Sequence, residues 1–229
     1  MAEALRIAIV GAESTGKTAL AQALAGRLAA LTGRRCTWVG EWLRHWCERE
    51  GRTPRPDEQA AIAEQQHRLI DEAAQDHALV VCDTTALMTA VYSDLLFDDR
   101  SLVAYAITQQ RRCALTLLTA LDIDWVADGL QRDGPLVRGP VDDRVRALLL
   151  GHGLPWALVS GQGEARLEAA VDAVAPLLRR DDAVAGKGLF TRLADRDAAQ
   201  AAWARPWACE NCDSPECEHR LMARRPARP

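Results

Sequence analysis

Apolar and polar positions alternate along this chain in blocks that change period, and the blocks predict its elements. Residues 5–10, LRIAIV, form a short apolar run ending in a glycine turn, which predicts a buried strand. Residues 17–31 are rich in Ala and Leu at helical spacing and stop at Thr32-Gly33, a helix-ending signal. A second strand is expected over 36–40, a helix over 41–49, a loop over 51–56 and a long polar helix over 57–75. ALVVC, residues 78–82, reads as a third buried strand ending at Asp83. Helices over 85–96 and 101–111 and a strand over 114–118 follow, then Asp122 and Asp124. Residues 128–143, rich in Gly, Pro, Arg and Asp, predict a mobile loop; a helix over 141–151, a strand over 156–160 and a helix over 164–178 close the pattern. Strands alternating with helices imply a three-layer α/β fold, a parallel sheet of about five strands flanked by helices. Residues 1–180 are expected to form this domain, and the less periodic residues 181–229 a short, cysteine-rich C-terminal extension.

The turn after the first strand carries the clearest chemistry. Gly11, Ala12, Glu13, Ser14, Thr15, Gly16, Lys17 and Thr18 fit G-x-x-x-x-G-K-[ST], between a predicted strand and a predicted helix. The glycines permit a turn whose successive N–H groups face phosphate oxygens, and the following helix presents its positive end to the same anion. Lys17 is suited to the β- and γ-phosphates of ATP and the Thr18 hydroxyl to Mg²⁺. The motif makes the fold a P-loop NTPase and names a nucleotide site, not an acceptor.

Charge narrows the field further. A net charge of −4 argues against nucleic acid as a partner. No apolar run reaches membrane-spanning length, and the N-terminal one leads straight into the glycine turn, so a cytoplasmic protein acting on a small molecule is expected. Cys36, Cys47, Cys82 and Cys113 are scattered through apolar or helical stretches and read as unpaired core or surface thiols.

In open parallel sheets, ligands sit beyond the carboxyl ends of the strands. Glu41 follows the second predicted strand and Asp83 ends the third; both are candidates for binding Mg²⁺, deprotonating a hydroxyl or holding a sugar. Arg132, Arg138 and Arg144 follow the fourth and are candidates to close over a transferring phosphoryl group. Trp42 and Trp46 share a helical face, either to stack on a flat, even cationic, ring or to pack on the sheet; the same two readings apply to Trp125.

Taken in order, "GAESTGKT", "GEWLRHW", "VVCDTTALMTAVYS", "DIDWVADGLQRDG" and "WALVSGQGEARLEAAV" resemble the ribosylnicotinamide kinase domains of the NadR group, over residues 5–178. The resemblance implies transfer of the ATP γ-phosphate to the 5′-hydroxyl of nicotinamide riboside. It matches Gly11 to Thr18 to the ATP loop, Glu41 and Arg44 to the acid and base after the second strand, and Asp83 to the acid ending the third. Trp125, Asp128 and Arg132 fall in the segment leading into the lid. Catalysis would then rest on Lys17, Glu41, Asp83 and Arg132, with Glu41 as base and Asp83 as metal or ribose ligand, or the reverse. The substrate would lie among Glu41, Trp42, Arg44, Asp83, Trp125 and Asp128. Where the group often has a second acid, this chain has Thr85. It has neither the length nor the H-x-G-H signature for the adenylyltransferase domain that NadR also carries. The alternatives are a kinase for another nucleoside or metabolite, and a regulatory NTPase switch.

The extension carries Cys209, Cys212, Cys217 and His219, three thiols and an imidazole within eleven residues. These donors suit structural, tetrahedral Zn²⁺; the alternative is an unliganded tail of reducible thiols. Metal analysis of protein purified without chelator or acid is expected to find about one Zn²⁺ per chain. Cys212→Ser or His219→Ala should release it, with ATP binding retained.

Overall fold

The structure, a computed structural model, describes residues 3–126 and 135–185, with side chains to residue 178. The chain divides into two units, Met1–Arg180 and Asp181–Pro229, and the sheet belongs to the first. Asp128, Arg132 and the tail donors Cys209, Cys212, Cys217 and His219 lie outside the described residues. Strands β1 (Leu5–Val10), β2 (Cys36–Val39), β3 (Leu79–Asp83), β4 (Leu115–Thr119) and β5 (Trp156–Val159) form one sheet in the order β2-β3-β1-β4-β5. Every pairing is parallel. The helices are α1 (Lys17–Thr32), α2 (Trp42–Glu50), α3 (Gln59–Asp76), α4 (Ala86–Phe97), α5 (Val103–Gln110), α6 (Arg138–Gly151) and α7 (Gly163–Ala185). The order, with β1 between β3 and β4, is that of a P-loop kinase.

The burial pattern follows from the topology. The interior strands β1, β3 and β4 are covered on both faces, so they are buried almost throughout and read as continuous apolar runs. The end strands β2 and β5 each bury only their last residue fully. One core joins Val10 and Leu118 of the sheet to Leu87, Val91, Val145 and Leu149 of α4 and α6. Another sets Ile70 of α3 on Val39, Val80 and Cys82. Cys36, Cys47, Cys82 and Cys113 are unpaired, and all but Cys36 are buried. Thr85 begins α4 as its N-cap, accepting from the Leu87 N–H at 3.3 Å, and its hydroxyl donates to Gln110 at 2.7 Å. Among the described residues, no helix is long and apolar enough to cross a membrane.

Two boundaries depart from the sequence pattern. Helix α6 begins at Arg138, inside the stretch expected to be a loop. Gly139 and Pro140 lie in its first turn, where backbone N–H groups have no partner within the helix and proline is tolerated. Arg138 is buried and donates to the Ile123 carbonyl at 2.8 Å, while Arg144 pairs with the buried Asp94. These two arginines brace the fold instead of riding on a loop. Helix α7 runs to Ala185, past residue 178, because RRDDAVA holds neither glycine nor proline to stop it.

The phosphate loop is shaped by its neighbour in the sheet. Gly11 has φ +144°, and a Cβ there would lie 2.2 Å from Thr119 Oγ1. Gly11→Ala is therefore expected to lower stability by about 2 kcal/mol or more. That corresponds to a fall in Tm of roughly 5 °C, checked by thermal denaturation, with ATP binding lost as the loop is displaced.

Candidate active site

Strand register gathers the site. Ile9 is level with Asp83, and Val39 with Cys82, so Gly11, Glu41 and Asp83 emerge together at the carboxyl edge of three adjacent strands. The Thr84 N–H donates to the Ile9 carbonyl at 3.0 Å and carries the alignment one residue beyond Asp83. Thr18 lies in the first turn of α1, which starts from Gly16 in the left-handed region at φ 74°.

The loop is held from behind. The buried Thr15 hydroxyl donates to the Ala12 carbonyl at 2.8 Å and lies 2.7 Å from the Thr119 hydroxyl. Arg166, buried on α7, donates to the Thr15 carbonyl at 2.6 Å and the Gly161 carbonyl at 2.7 Å, and pairs with Asp122. Asp122 also accepts from the Gly161 N–H at 2.6 Å. One guanidinium thus ties the phosphate loop to the turns after β4 and β5. On the other flank, the Ser14 hydroxyl accepts from the Val126 N–H at 2.9 Å, and Trp125 donates to Glu13 at 3.1 Å.

Lys17 donates to the Ala12 carbonyl at 2.8 Å. Burial lowers its pKa, opposed by the negative charges of Glu41, Asp83 and Glu13. Asp83 is 1% exposed. Burial raises its pKa, while the Thr18 side chain, Lys17 and Arg44 pull it down. Neither of its oxygens makes a hydrogen bond of good geometry within the protein, and the Thr18 hydroxyl is the neighbour placed to interact with it. A buried carboxylate short of partners beside a P-loop threonine fits Mg²⁺, which keeps several water and phosphate ligands and takes only one or two from protein. Among the described residues, no group of three or more His, Cys, Asp or Glu could hold a metal ion.

A cavity of about 340 Å³ opens from Thr18 and Asp83 along α2. Glu41, just before that helix, and Arg44, His45 and Glu48 along one face of it line the cavity, joined by Trp42, Leu69 and Trp38. Arg44 Nε stands 3.7 Å from Glu41, whose side chain is 14% exposed. Three carboxylates against one guanidinium make the cavity acidic.

The predicted residues separate into three groups. Thr18, Glu41, Trp42, Arg44 and Asp83 share the cavity, with Lys17 beside it. Trp46 does not line it; it packs in the core with Cys47 and Ile62, under the Arg52 guanidinium at 4.9 Å. Trp125 stands against Glu13 of the phosphate loop and is likewise not a lining residue. Trp38, His45, Glu48 and Leu69 escaped the sequence reading, although His45 and Glu48 follow Glu41 at the i+4 and i+7 spacing of one helical face. Arg166 escaped it too, as a single charge on a helix with no local signature.

A family model described as an AAA domain matches residues 6–166, more than half of the chain. Among solved structures, a NadR protein in complex with NR is similar with a TM-score of 0.59 and 21% identity, over 75% of this chain and 50% of that one. A NadR protein in complex with NAD and AMP-PNP gives 0.56 and 20%, over 75% and 48%. Thymidylate kinase from Ehrlichia chaffeensis gives 0.53 and 15%, over 77% and 100%. The chain spans about half the length of the NadR structures it matches. At these identities the likeness is one of fold. No curated protein matches the chain.

The setting of Asp83 has a consequence for stability. Because its pKa is higher in the folded than in the unfolded chain, the folded state binds its proton more tightly, and stability falls as pH rises from the unfolded toward the folded pKa. Wherever the carboxylate is ionised it therefore destabilises the protein when neither metal nor nucleotide is bound. Asp83→Asn is expected to raise the Tm of nucleotide-free protein, at pH above that range, by roughly 2–4 °C, about 1 kcal/mol, and to weaken Mg²⁺-dependent turnover. Thermal melts over a series of pH values test this, the gain shrinking as pH falls.

Proposed function

On the premise that the chain belongs to the AAA-domain family, we propose that it is an ATP-dependent small-molecule kinase. It transfers the γ-phosphoryl group to the 5′-hydroxyl of a riboside, nicotinamide riboside being the first candidate. The observation that carries this reading is the cavity itself: an acidic pocket with two tryptophans begins at the same Thr18 and Asp83 that border the phosphate loop. Such a pocket suits a hydroxyl-bearing acceptor with a flat, neutral or cationic ring. The fold likeness to a NadR protein bound to NR supports the choice of acceptor.

In this reading the loop amides and Lys17 hold the β- and γ-phosphates, and Thr18 and Asp83 would hold Mg²⁺, which when bound would supply charge neutralisation at the phosphate oxygens. Glu41, which lines the cavity and is paired with Arg44, accepts the 5′-hydroxyl proton as the oxygen–phosphorus bond forms and the bond to ADP breaks. Asp83 is the less suited base because Thr18 and Lys17 already face it. Arg132 and Asp128 belong to the same proposal as closing and substrate-binding residues.

Phosphorylation of a panel of ribosides and deoxynucleosides, followed by ADP release, decides the acceptor. The expected result is ADP release stimulated by nicotinamide riboside. Nucleotide binding with no acceptor-dependent release would return the chain to the class of regulatory switches. Lys17→Ala should lower kcat by at least about 10²-fold. Glu41→Gln should lower it by about 10²–10⁴-fold with KM for ATP nearly unchanged.

A further inference from the structure

Gln66 lies in the middle of α3, one turn from Ile62 and from Ile70, on the stripe that faces the core. It is 3% exposed. A polar side chain at such a position needs partners, and it finds them on both sides of Glu41. Its Oε1 accepts from the Trp42 N–H at 2.6 Å, and its Nε2 donates to the Gly40 carbonyl at 3.2 Å. The amide orientation follows from chemistry, since the Trp42 nitrogen can only donate and the Gly40 oxygen can only accept.

The two groups it satisfies have no other natural partner. Strand β2 pairs with β3 only as far as Val39, so the Gly40 carbonyl lies beyond the ladder. The Trp42 N–H is the first of α2, one of the donors every helix leaves unpaired. The side chain of a helix-opening residue reaches the second or third N–H of the helix and not the first, so Glu41 could not satisfy the Trp42 N–H itself, and it makes no capping hydrogen bond. Gln66 satisfies that first N–H from another helix. Glu41, held between the two bonded groups, lines the cavity.

We propose that Gln66 is a positioning residue for Glu41: its amide clamps the Gly40–Trp42 turn from both sides and fixes the direction of the carboxylate that faces the acceptor. The inference rests on the reading of Glu41 as the group that receives the acceptor's proton. Only a side chain with a donor and an acceptor at this reach closes both bonds, so methionine, of similar length, removes the clamp. Asparagine keeps the amide but is one methylene short.

The test is steady-state kinetics with ATP and nicotinamide riboside for Gln66→Met and Gln66→Asn, each made in the wild-type and Glu41→Gln backgrounds, with Tm and KM for ATP measured alongside. In the wild-type background, Gln66→Met should lower kcat by about ten- to a hundredfold, the cost of a small misplacement, with KM for ATP unchanged. Gln66→Asn should show a smaller loss of the same kind and, being the milder change, carries the test should the methionine variant fail to fold. In the Glu41→Gln background, neither substitution should lower kcat further, because a group acting through Glu41 has nothing left to position. Wild-type kcat in both variants, an equal loss in both backgrounds, or a rise in KM for ATP that parallels the loss would overturn the proposal. Wild-type turnover in Glu41→Gln alone would instead overturn the role given to Glu41, and the positioning role with it.

Discussion

The parallel register of β2, β3 and β1 is the constraint on which the site depends. Hydrogen bonding sets Val39 level with Cys82 and Ile9 level with Asp83, and neither pairing leaves slack. A slip of one residue in β3 would turn Asp83 to the opposite face of the sheet, away from Thr18, and drive a carboxylate into the core that α3 makes with Val80 and Cys82. The hydrogen-bonded register that sets the strands in the sheet therefore also aims the carboxylates. Burial and chemistry are set by one decision, made when the ladder forms.

Around that register the phosphate loop is held before any ligand arrives. Thr119 presses on Gly11 and Thr15 from β4, and Arg166 grips the Thr15 carbonyl from α7. A loop already in its working shape loses little entropy when an anion binds, so more of the interaction energy appears as affinity. Asp83 carries the opposite kind of cost: a buried carboxylate without strong hydrogen bonds is strained until a cation or a proton reaches it. Rigidity in one part and unsatisfied charge in another are both expected where binding, and not folding alone, shaped the residues.

Much of this was legible in the sequence, and what escaped did so for identifiable reasons. The five strands and their helices follow from apolar runs and helical spacing, and the phosphate loop from its glycines. Glu41 and Asp83 could be named because strand ends are where ligands sit. Boundaries failed where local chemistry is ambiguous, as at Gly139-Pro140, which signals a loop yet fits the first turn of α6. Trp46 and Trp42 share a helical face, yet only Trp42 lines the cavity, because α3 brings Ile62 up against Trp46. Gln66 and Arg166 act across 24 and 151 residues of chain, and no local pattern encodes such contacts. The trace Gln66 did leave was a polar residue on the apolar stripe formed by Ile62, Ala63 and Ile70.

The acidity of the cavity bears on what happens after the chemical step. Glu41, Asp83 and Glu48 border a space that, under the proposed reaction, admits an acceptor with no negative charge of its own. Phosphorylation would add a dianionic group to that acceptor. The Glu41 and Glu48 carboxylates that face the alcohol would then oppose its ester, while Lys17 and the Mg²⁺ of the proposed reaction would hold it back. Under that reading the product leaves more readily once ADP and its cation have gone, because only then do the carboxylates face the ester with less to oppose them.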